Sequence, residues 1–107
     1  RDNVTDALKD LNTLLEKRFK TGTFVPLTAA NAEEALRLVL QERRKELIFR
    51  GLRWQDLRRL NKDVRFAVTL TRTVNDQTHT LPPRDKRYVL LIPQNEIAGS
   101  GIEQNVR

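Results

Sequence analysis

The sequence predicts a mainly α-helical chain, in which helices pack with one small β-hairpin and an extended C-terminal tail follows. Apolar residues recur at helical intervals through most of the first sixty residues, which is the pattern of amphipathic helices. After Asn61 the pattern changes to an alternation of apolar and polar residues with frequent threonine, which favours strands. This change of period places the helices first and the hairpin after them.

The first predicted helix runs from Val4 to Phe19. Asp2 or Asn3 can serve as its N-cap, and Gly22 is placed to end it. Its apolar positions, spaced by three or four residues, are Val4, Leu8, Leu11, Leu15 and Phe19. This spacing indicates an amphipathic helix.

The second predicted helix runs from Asn31 to about Phe49. Asn31 and Glu34 occupy the N-cap and N3 positions of a capping box, in which side chains bind the free N–H groups of the first turn. Gly51 is expected to break or bend this helix. The apolar residues that follow repeat at a three-residue spacing, which suits a short third helix or a continuation, and they are Trp54, Leu57 and Leu60.

The second half of the chain is predicted to be more extended. Arg65–Val74 reads as a strand, the turn signal Asn75-Asp76 follows it, and Gln77–Leu81 can pair back as a hairpin. Tyr88–Ile92 is a short apolar run that Pro93 stops, which indicates an extended segment packed against helices. Residues 99–101, Gly-Ser-Gly, predict a flexible approach to the C-terminus.

Composition excludes several kinds of functional site. Of the 107 residues 38% are hydrophobic and none is cysteine, so a disulfide framework, a thiolate nucleophile and a cysteine-based zinc site are excluded. The single histidine, His79, has no nucleophile or orienting acid that the sequence places beside it. We therefore expect no catalytic residue, no metal site and no cofactor. No run approaches the roughly 18 apolar residues that a membrane span requires.

The apolar supply is thin for an independent core, because small domains bury proportionally less of their surface. Residues 1–107 are enough for one domain or for a piece of one, and we expect them to be a segment of a longer chain.

The formal net charge of +6 comes mostly from one stretch. Between Gln41 and Arg65 nine basic residues stand against four acidic ones, which is one signature of a nucleic-acid-binding surface. A solvated helix face with some arginines paired to acids is the interpretation that we favour over nucleic-acid binding. The nine basic residues are Arg43, Arg44, Lys45, Arg50, Arg53, Arg58, Arg59, Lys62 and Arg65.

Arg43 lies within the apolar stripe of the second predicted helix. At about 100° per residue, the stripe is formed by Ala32, Leu36, Val39, Leu40 and Leu47. A buried guanidinium keeps its charge and must bind carboxylates or carbonyls. Glu42 and Glu46 flank Arg43, and Asp56 lies further along the chain. We therefore expect a structural clamp of paired charges around Trp54, rather than a catalytic site.

The clamp predicts a difference between two arginine variants. Removing one partner of a buried ion pair costs roughly 3–5 kcal/mol, so Arg43→Ala is expected to loosen the chain more than Arg59→Ala. Trp54 itself is predicted to be a half-buried anchor with a bonded indole N–H. The alternative, a surface on which Trp54 and Tyr88 stack against sugars or bases, is disfavoured because aromatic residues are few.

Four blocks of the sequence resemble, in the same order, blocks near the C-terminus of the SusD/RagB family. Residues 42–59 read Glu-Arg-Arg-Lys-Glu-Leu-Ile-Phe-Arg-Gly-Leu-Arg-Trp-Gln-Asp-Leu-Arg-Arg. They resemble the family helix Glu-Arg-Arg-x-Glu-Leu-x-Phe-Glu-Gly and its continuation Arg-Trp/Tyr-x-Asp-Leu-Arg. Residues 91–97, Leu-Ile-Pro-Gln-Asn-Glu-Ile, resemble the block Pro-Ile-Pro-x-x-Glu-Ile. Residues 102–107 are similar to the Gln-Asn-Pro tail, and residues 7–15 to the helix before the signature.

The resemblance implies a C-terminal segment of a mostly helical, lipid-anchored outer-membrane protein. Such proteins bind nutrients, usually oligosaccharides, as partners of a SusC-like TonB-dependent transporter. The lipid anchor and the ligand-binding aromatic residues of the family lie upstream, so no ligand-binding residue is carried over to this segment. The remainder of the parent chain is then a further partner. The positions carried over, as structural signature alone, are Arg43, Glu46, Gly51, Arg53, Trp54, Asp56, Pro93 and Glu96.

Overall fold

A computed structural model describes residues 3–107 of the chain. In this range four α-helices and one two-stranded antiparallel sheet form, so the fold is mixed but dominated by helices. The chain divides into two compact units, a first unit that ends at Gly51 and a second unit from Leu52 to Arg107. The elements are α1 Val4–Glu16, α2 Ala32–Glu46, α3 Arg53–Leu60, β1 Leu70–Val74, β2 Gln77–Leu81, the 3₁₀-helix Lys86–Tyr88 and α4 Gln94–Ser100.

Helices α1 and α2 pack together in the first unit, and its buried apolar residues are Leu11, Leu15 and Ala35. Asn3 caps α1 by accepting a hydrogen bond from the backbone N–H of Asp6, as predicted, while the alternative cap Asp2 lies outside the described residues. The helix ends at Glu16 rather than Phe19, because the N–H of the C-cap residue already bonds carbonyls within the last turn. Phe19 therefore lies beyond the helix, exposed, with its ring against that of Phe24.

The connection between α1 and α2 is fixed by the side chain of Asn12. Its Nδ2 donates to the carbonyl of Leu27 over 2.9 Å, and its Oδ1 accepts from the N–H of Leu27 over 2.8 Å. The amide thus satisfies both backbone groups of one extended residue, as a neighbouring strand would.

Helix α2 begins at the predicted cap and ends earlier than predicted. Asn31 accepts from the N–H of Glu34 over 2.9 Å, and Glu34 reaches back to the N–H of Ala30 rather than to that of Asn31. The helix ends at Glu46, and the backbone then turns through left-handed conformations at Phe49 and Gly51, with φ of 60° and 72°. The break predicted at Gly51 is confirmed. The prediction that the helix continues to Phe49 is wrong, because a residue with positive φ cannot extend it.

The hairpin of the second unit pairs Leu70 with Leu81 and closes between Val74 and Gln77. The two turn residues, 75 and 76, have φ of 49° and 59°, as a two-residue turn that matches strand twist requires. The predicted hairpin is confirmed, but β1 starts at Leu70 instead of Arg65. The reason is that side chains bind the backbone N–H groups of this earlier stretch, so it forms turns before the strand.

Helix α4 follows Pro93 and was not expected from the sequence. It covers seven residues and ends at Ser100, and its C-cap is Gly101, whose φ is 67° and whose N–H bonds the carbonyl of Ile97. The Gly-Ser-Gly stretch predicted to be flexible therefore forms the end of a helix and its left-handed cap. Residues 101–107 contain no helix or strand, which agrees with the predicted extended tail.

Candidate functional site

Trp54, on α3, anchors the second unit through a contact with Tyr88. Its indole Nε1 donates to the backbone carbonyl of Tyr88 over 3.2 Å, and the two ring centroids lie 4.9 Å apart. Trp54 is half-buried, whereas Tyr88 is only 4% exposed and Leu57, one turn further along α3, is also buried. The predicted anchor with a bonded indole N–H is confirmed. Because the Tyr88 ring is buried, it is not part of an exposed stacking surface.

The C-terminal residues Gln104 and Asn105 bind the extended segment in front of Pro93, and we call this group the tail clasp. Gln104 Oε1 accepts from the N–H of Ile92 over 2.9 Å, and its Nε2 donates to the carbonyl of Ile92 over 3.0 Å. Asn105 Nδ2 donates to the carbonyl of Leu90 over 2.7 Å. The clasp therefore fixes the approach to Pro93, the N-cap residue of α4.

Sequence reasoning identified the Gln-Asn pair as part of a family block, but not what its side chains do. A signal was available: the apolar run 88–92 is predicted to be extended and has no neighbouring strand in the predicted hairpin. Its backbone groups need hydrogen-bond partners when they are buried, and side-chain amides can donate and accept at once.

Arg43 does not lie where the clamp hypothesis requires. The residue is exposed, so the expectation that it is buried within the apolar stripe of α2 is wrong. The reason is that the stripe itself is at most half-buried along most of its length, and Leu36 is exposed as well. The acids beside Arg43 bind other cations. The Glu46 carboxylate accepts hydrogen bonds from Nε and Nη2 of Arg18, and Glu42 forms an ion pair with Lys45.

The remaining signature residues are distributed along the second unit. Asp56 is half-buried and binds Arg59, with 3.3 Å between Oδ1 and Nη2. Arg53 and Glu96 are exposed, each in the first turn of its helix. Arg43, Glu46 and Gly51 belong to the first unit, so the pairing of Arg43 with Asp56 stays a prediction.

Two aspartates of the second unit bind an arginine two residues further along the chain. The guanidinium and backbone N–H of Arg87 both bond Asp85 and lower the pKa of its carboxyl from 3.8 to about 2. The same arrangement with Arg65 lowers the pKa of Asp63. Both interactions favour the ionised carboxylate, which accepts these hydrogen bonds.

Concave surfaces occur in both units. A groove of about 680 Å³ runs along the end of α1, and Lys9, Lys17, Lys20 and Phe24 are among the residues that line it. A cavity of about 380 Å³ lies beside Tyr88 in the second unit. Within residues 3–107 no three side chains of the His, Asp and Glu types lie close enough together to hold a metal ion.

Comparisons with family models, with curated proteins and with solved structures found no match to this chain. Among the helices described, none is both long enough and apolar enough to cross a membrane.

Proposed function

We propose that the chain is the C-terminal segment of a SusD-like protein that binds a nutrient, in particular an oligosaccharide, at the outer membrane. The observation that carries this proposal is the packing of the second unit. Trp54 of the main signature block binds the carbonyl of Tyr88, and the tail clasp joins the block 102–107 to the residues in front of Pro93. Two stretches that resemble separate family blocks, residues 91–97 and 102–107, thus contact one another.

The proposed role of this segment is structural support within a binding protein that does not catalyse. The residues that contact the nutrient lie upstream in the parent chain, as does the lipid anchor that holds the protein at the cell surface. The partner is a SusC-like TonB-dependent transporter, to which the protein delivers its ligand. No cofactor and no metal is needed for this activity, because recognition of a sugar requires hydrogen bonds and apolar contacts.

Exposed apolar side chains that follow α2 support the further point that the segment belongs to a longer chain. Ile48 is 64% exposed and Phe49 is 97% exposed, and both lie in the block that resembles the family signature. Adjacent exposed apolar side chains of this size are typical of surfaces that another part of a protein covers. In the proposal, the remainder of the parent chain covers these two side chains.

The intact mass of the natural gene product, with its N-terminus mapped, tests this proposal. The expected result is a product several times heavier than this 12.5 kDa chain, with a lipid-modified N-terminal cysteine. Membrane fractionation of the same cells should place the product in the outer membrane, and surface proteolysis should reach it. A free product of about the mass of this chain, without lipid, would contradict the proposal.

A nucleic-acid-binding module is the second candidate, and one observation favours it. Four basic residues between Gln41 and Arg65 make no ion pair with any described residue, and they are Arg44, Arg50, Arg58 and Lys62. Three other basic residues of this stretch bind nearby carboxylates, which reduces their attraction for phosphates. The unpaired four would supply the counterion release that drives such binding.

Salt-dependent binding to duplex DNA separates the two candidates. If nucleic acid is the ligand, log K should fall steeply with log salt, and the double variant Arg44→Gln, Arg50→Gln should lower the slope by about 0.9 for each phosphate that it leaves without a cation. The matched control is Lys9→Gln with Lys20→Gln, which removes the same charge outside this stretch. Equal slopes for both double variants would exclude a specific role of Arg44 and Arg50.

A further inference from the structure

The groove along the end of α1 has two walls of different kinds. It has a volume of about 680 Å³ and lies wholly within the first unit. One wall is the face of α1 that carries Lys9 and Glu16. The other is the segment 23–29, which contains neither helix nor strand and contributes Phe24 and Pro26. The proposed function gives this groove no role.

Hydrogen bonds fix the shape of the groove. The amide of Asn12, which lines it, holds segment 23–29 beside α1 by binding both backbone groups of Leu27. The turn before this segment is closed by Thr23, whose N–H and hydroxyl donate to the carbonyl of Lys20 over 3.0 and 2.8 Å. Because these bonds are made without a ligand, little of the groove needs to be ordered on binding.

The charges that line the groove are mostly positive. Three exposed lysines, none of which makes an ion pair within residues 3–107, line it, and they are Lys9, Lys17 and Lys20. Glu16 is the only acid among the described residues of the wall. A lysine at the end of a helix favours the helix dipole, which accounts for Lys17 without a ligand, but Lys9 lies two turns earlier. Three cations against one acid attract an anionic partner.

Two aromatic rings form the apolar part of the groove. The ring centroids of Phe19 and Phe24 lie 5.4 Å apart, and the ring planes are tilted by 52°. Phe19 is 53% exposed and Phe24 is half-buried. A flat anionic surface such as a membrane cannot reach a half-buried ring inside a concave groove, whereas a single apolar side chain can.

The backbone beside the rings has free hydrogen-bonding groups. Val25 is 77% exposed, and within residues 3–107 no hydrogen bond joins the backbone of Phe24 or Val25 to another residue. Free N–H and carbonyl groups next to a groove can pair with the main chain of a peptide, as they do where domains bind extended peptides. These groups therefore favour a peptide over a small anion.

The spacing of two lysines matches that of acids in an extended peptide. Lys9 and Lys17 are separated by eight residues, which is about 12 Å along the axis of a helix. In an extended peptide, side chains four residues apart are separated by about 13 Å and lie on the same side. Acids at the first and fifth positions of a peptide can therefore each reach one lysine.

We propose that this groove binds an acidic segment of a partner protein in extended conformation. Two acids of the segment, four residues apart, pair with Lys9 and Lys17, and an apolar side chain between them packs against Phe19 and Phe24. Lys20 adds to the attraction. This proposal does not depend on the proposed function.

An NMR titration of the full chain with capped pentapeptides tests the proposal. The probe is Glu-Val-Thr-Leu-Glu, its isomer Glu-Glu-Val-Thr-Leu has the same charge with adjacent acids, and Lys-Val-Thr-Leu-Lys reverses the charge. The probe is expected to give saturating shifts of the backbone amides of Gly22, Phe24 and Val25. The isomer should bind at least about twofold more weakly, since it reaches one lysine only, and the lysine peptide should cause no shift.

Two results of this titration would overturn the proposal. One is equal affinity for the probe and its isomer, which would show general attraction to a basic protein. The other is that vesicles of phosphatidylglycerol shift the same amides while the probe does not, which would assign the groove to a membrane.

Charge variants test which residues hold the peptide. Lys9→Gln and Lys17→Gln are each expected to weaken binding of the probe about twofold to fivefold, the effect of losing one exposed ion pair. Glu16→Gln should strengthen it, because this change removes the acid of the wall. The matched control is Arg44→Gln, which removes an exposed and unpaired arginine of the first unit from outside the groove. An equal loss in the control, or weaker binding by Glu16→Gln, would contradict the site.

Phe19→Ala tests the apolar contact with little effect on folding, because the side chain is 53% exposed. Its melting temperature should stay close to that of the unmodified chain, while affinity for the probe should fall about fivefold, since apolar area buried by the peptide is lost. The control Ile48→Ala removes a 64% exposed apolar side chain of the same unit that does not line the groove. Unchanged affinity of Phe19→Ala, or an equal loss in both variants, would overturn the proposal.

Discussion

Residues 43–50 and residues 53–60 are consecutive basic stretches of similar composition, yet they differ in burial. In the first, Arg43, Ile48 and Phe49 are all exposed. In the second, Trp54 is half-buried and Leu57 is buried. The difference lies in residues far along the chain, since the second stretch meets the ring and the carbonyl of the Tyr88 region. Burial in this part of the molecule therefore follows from a distant partner rather than from local composition.

The largest expected effect is the loss of the Trp54 anchor. Trp54→Ala should destabilise the second unit by about 2–4 kcal/mol, somewhat below the roughly 3–5 kcal/mol of a fully buried aromatic residue. The control Phe49→Ala, at a side chain 97% exposed, should change stability by under about 0.5 kcal/mol. Hydrogen exchange of amides in each unit measures both effects. Similar losses of protection for the two variants would contradict the contrast between the two stretches.

The tail clasp gives the next largest effect. Gln104→Ala leaves the N–H and carbonyl of Ile92 without their partners, which should cost about 1–3 kcal/mol. The control is Gln55→Ala, which truncates an exposed glutamine on α3. Urea unfolding followed by fluorescence reports on the second unit selectively, because Trp54 is the single tryptophan. If both variants unfold at the same urea concentration, the clasp does not stabilise this unit.

Acidification should weaken the second unit through Asp85. Its folded pKa is about 2, below the ordinary value of 3.8, so the ion pair with Arg87 stabilises fully above pH 4 and its contribution disappears as pH falls towards 2. Between pH 4 and pH 2 the melting temperature of Asp85→Asn should therefore fall less than that of the unmodified chain. The effect is small and shrinks with added salt, because the pair lies near the surface. The control Asp10→Asn changes an exposed carboxylate in the first unit. A steep acid response that Asp85→Asn leaves intact would assign the titration to other groups.

The smallest difference is expected between Arg43→Ala and Arg59→Ala. Both side chains are exposed, and contacts of exposed charges contribute about 0–1 kcal/mol. The two melting temperatures should therefore nearly coincide, whereas the clamp hypothesis requires a gap equivalent to roughly 3–5 kcal/mol. A markedly lower melting temperature for Arg43→Ala would support the clamp hypothesis. It would also show that side chains of residues 43–50, like those of residues 53–60, stabilise the fold.

Signals within a few residues of one another were sufficient for much of the fold. The caps Asn3 and Asn31, the break at Gly51 and the turn at residues 75–76 were all predicted from local chemistry, and all are present. Helix α4 was missed because it has only seven residues and ends in glycine and serine, which weaken a helical pattern. Local signals also could not locate the start of β1, which depends on side chains that bind the backbone before it.

The candidate site is formed by contacts between residues far apart in the sequence, and less of it could be predicted from the sequence. Helical periodicity placed Arg43 within an apolar stripe of α2, but no residue of that stripe is fully buried, and the buried residue of this helix, Ala35, lies outside the stripe. The indole bond of Trp54 was predicted, whereas its acceptor, 34 residues away, was not. The cavity beside Tyr88 brings together the end of α3 and the segment after the hairpin, and no periodicity connects these two parts of the chain.

Side-chain amides that bind single extended residues have a consequence for aggregation. Asn12 occupies both backbone groups of Leu27, and Gln104 occupies both backbone groups of Ile92. An extended segment with free N–H and carbonyl groups can recruit a strand from another molecule. Each amide occupies the N–H and carbonyl of one residue, so a strand of another molecule cannot pair there. Loss of either amide would leave these backbone groups of an apolar, extended segment available to other copies of the chain.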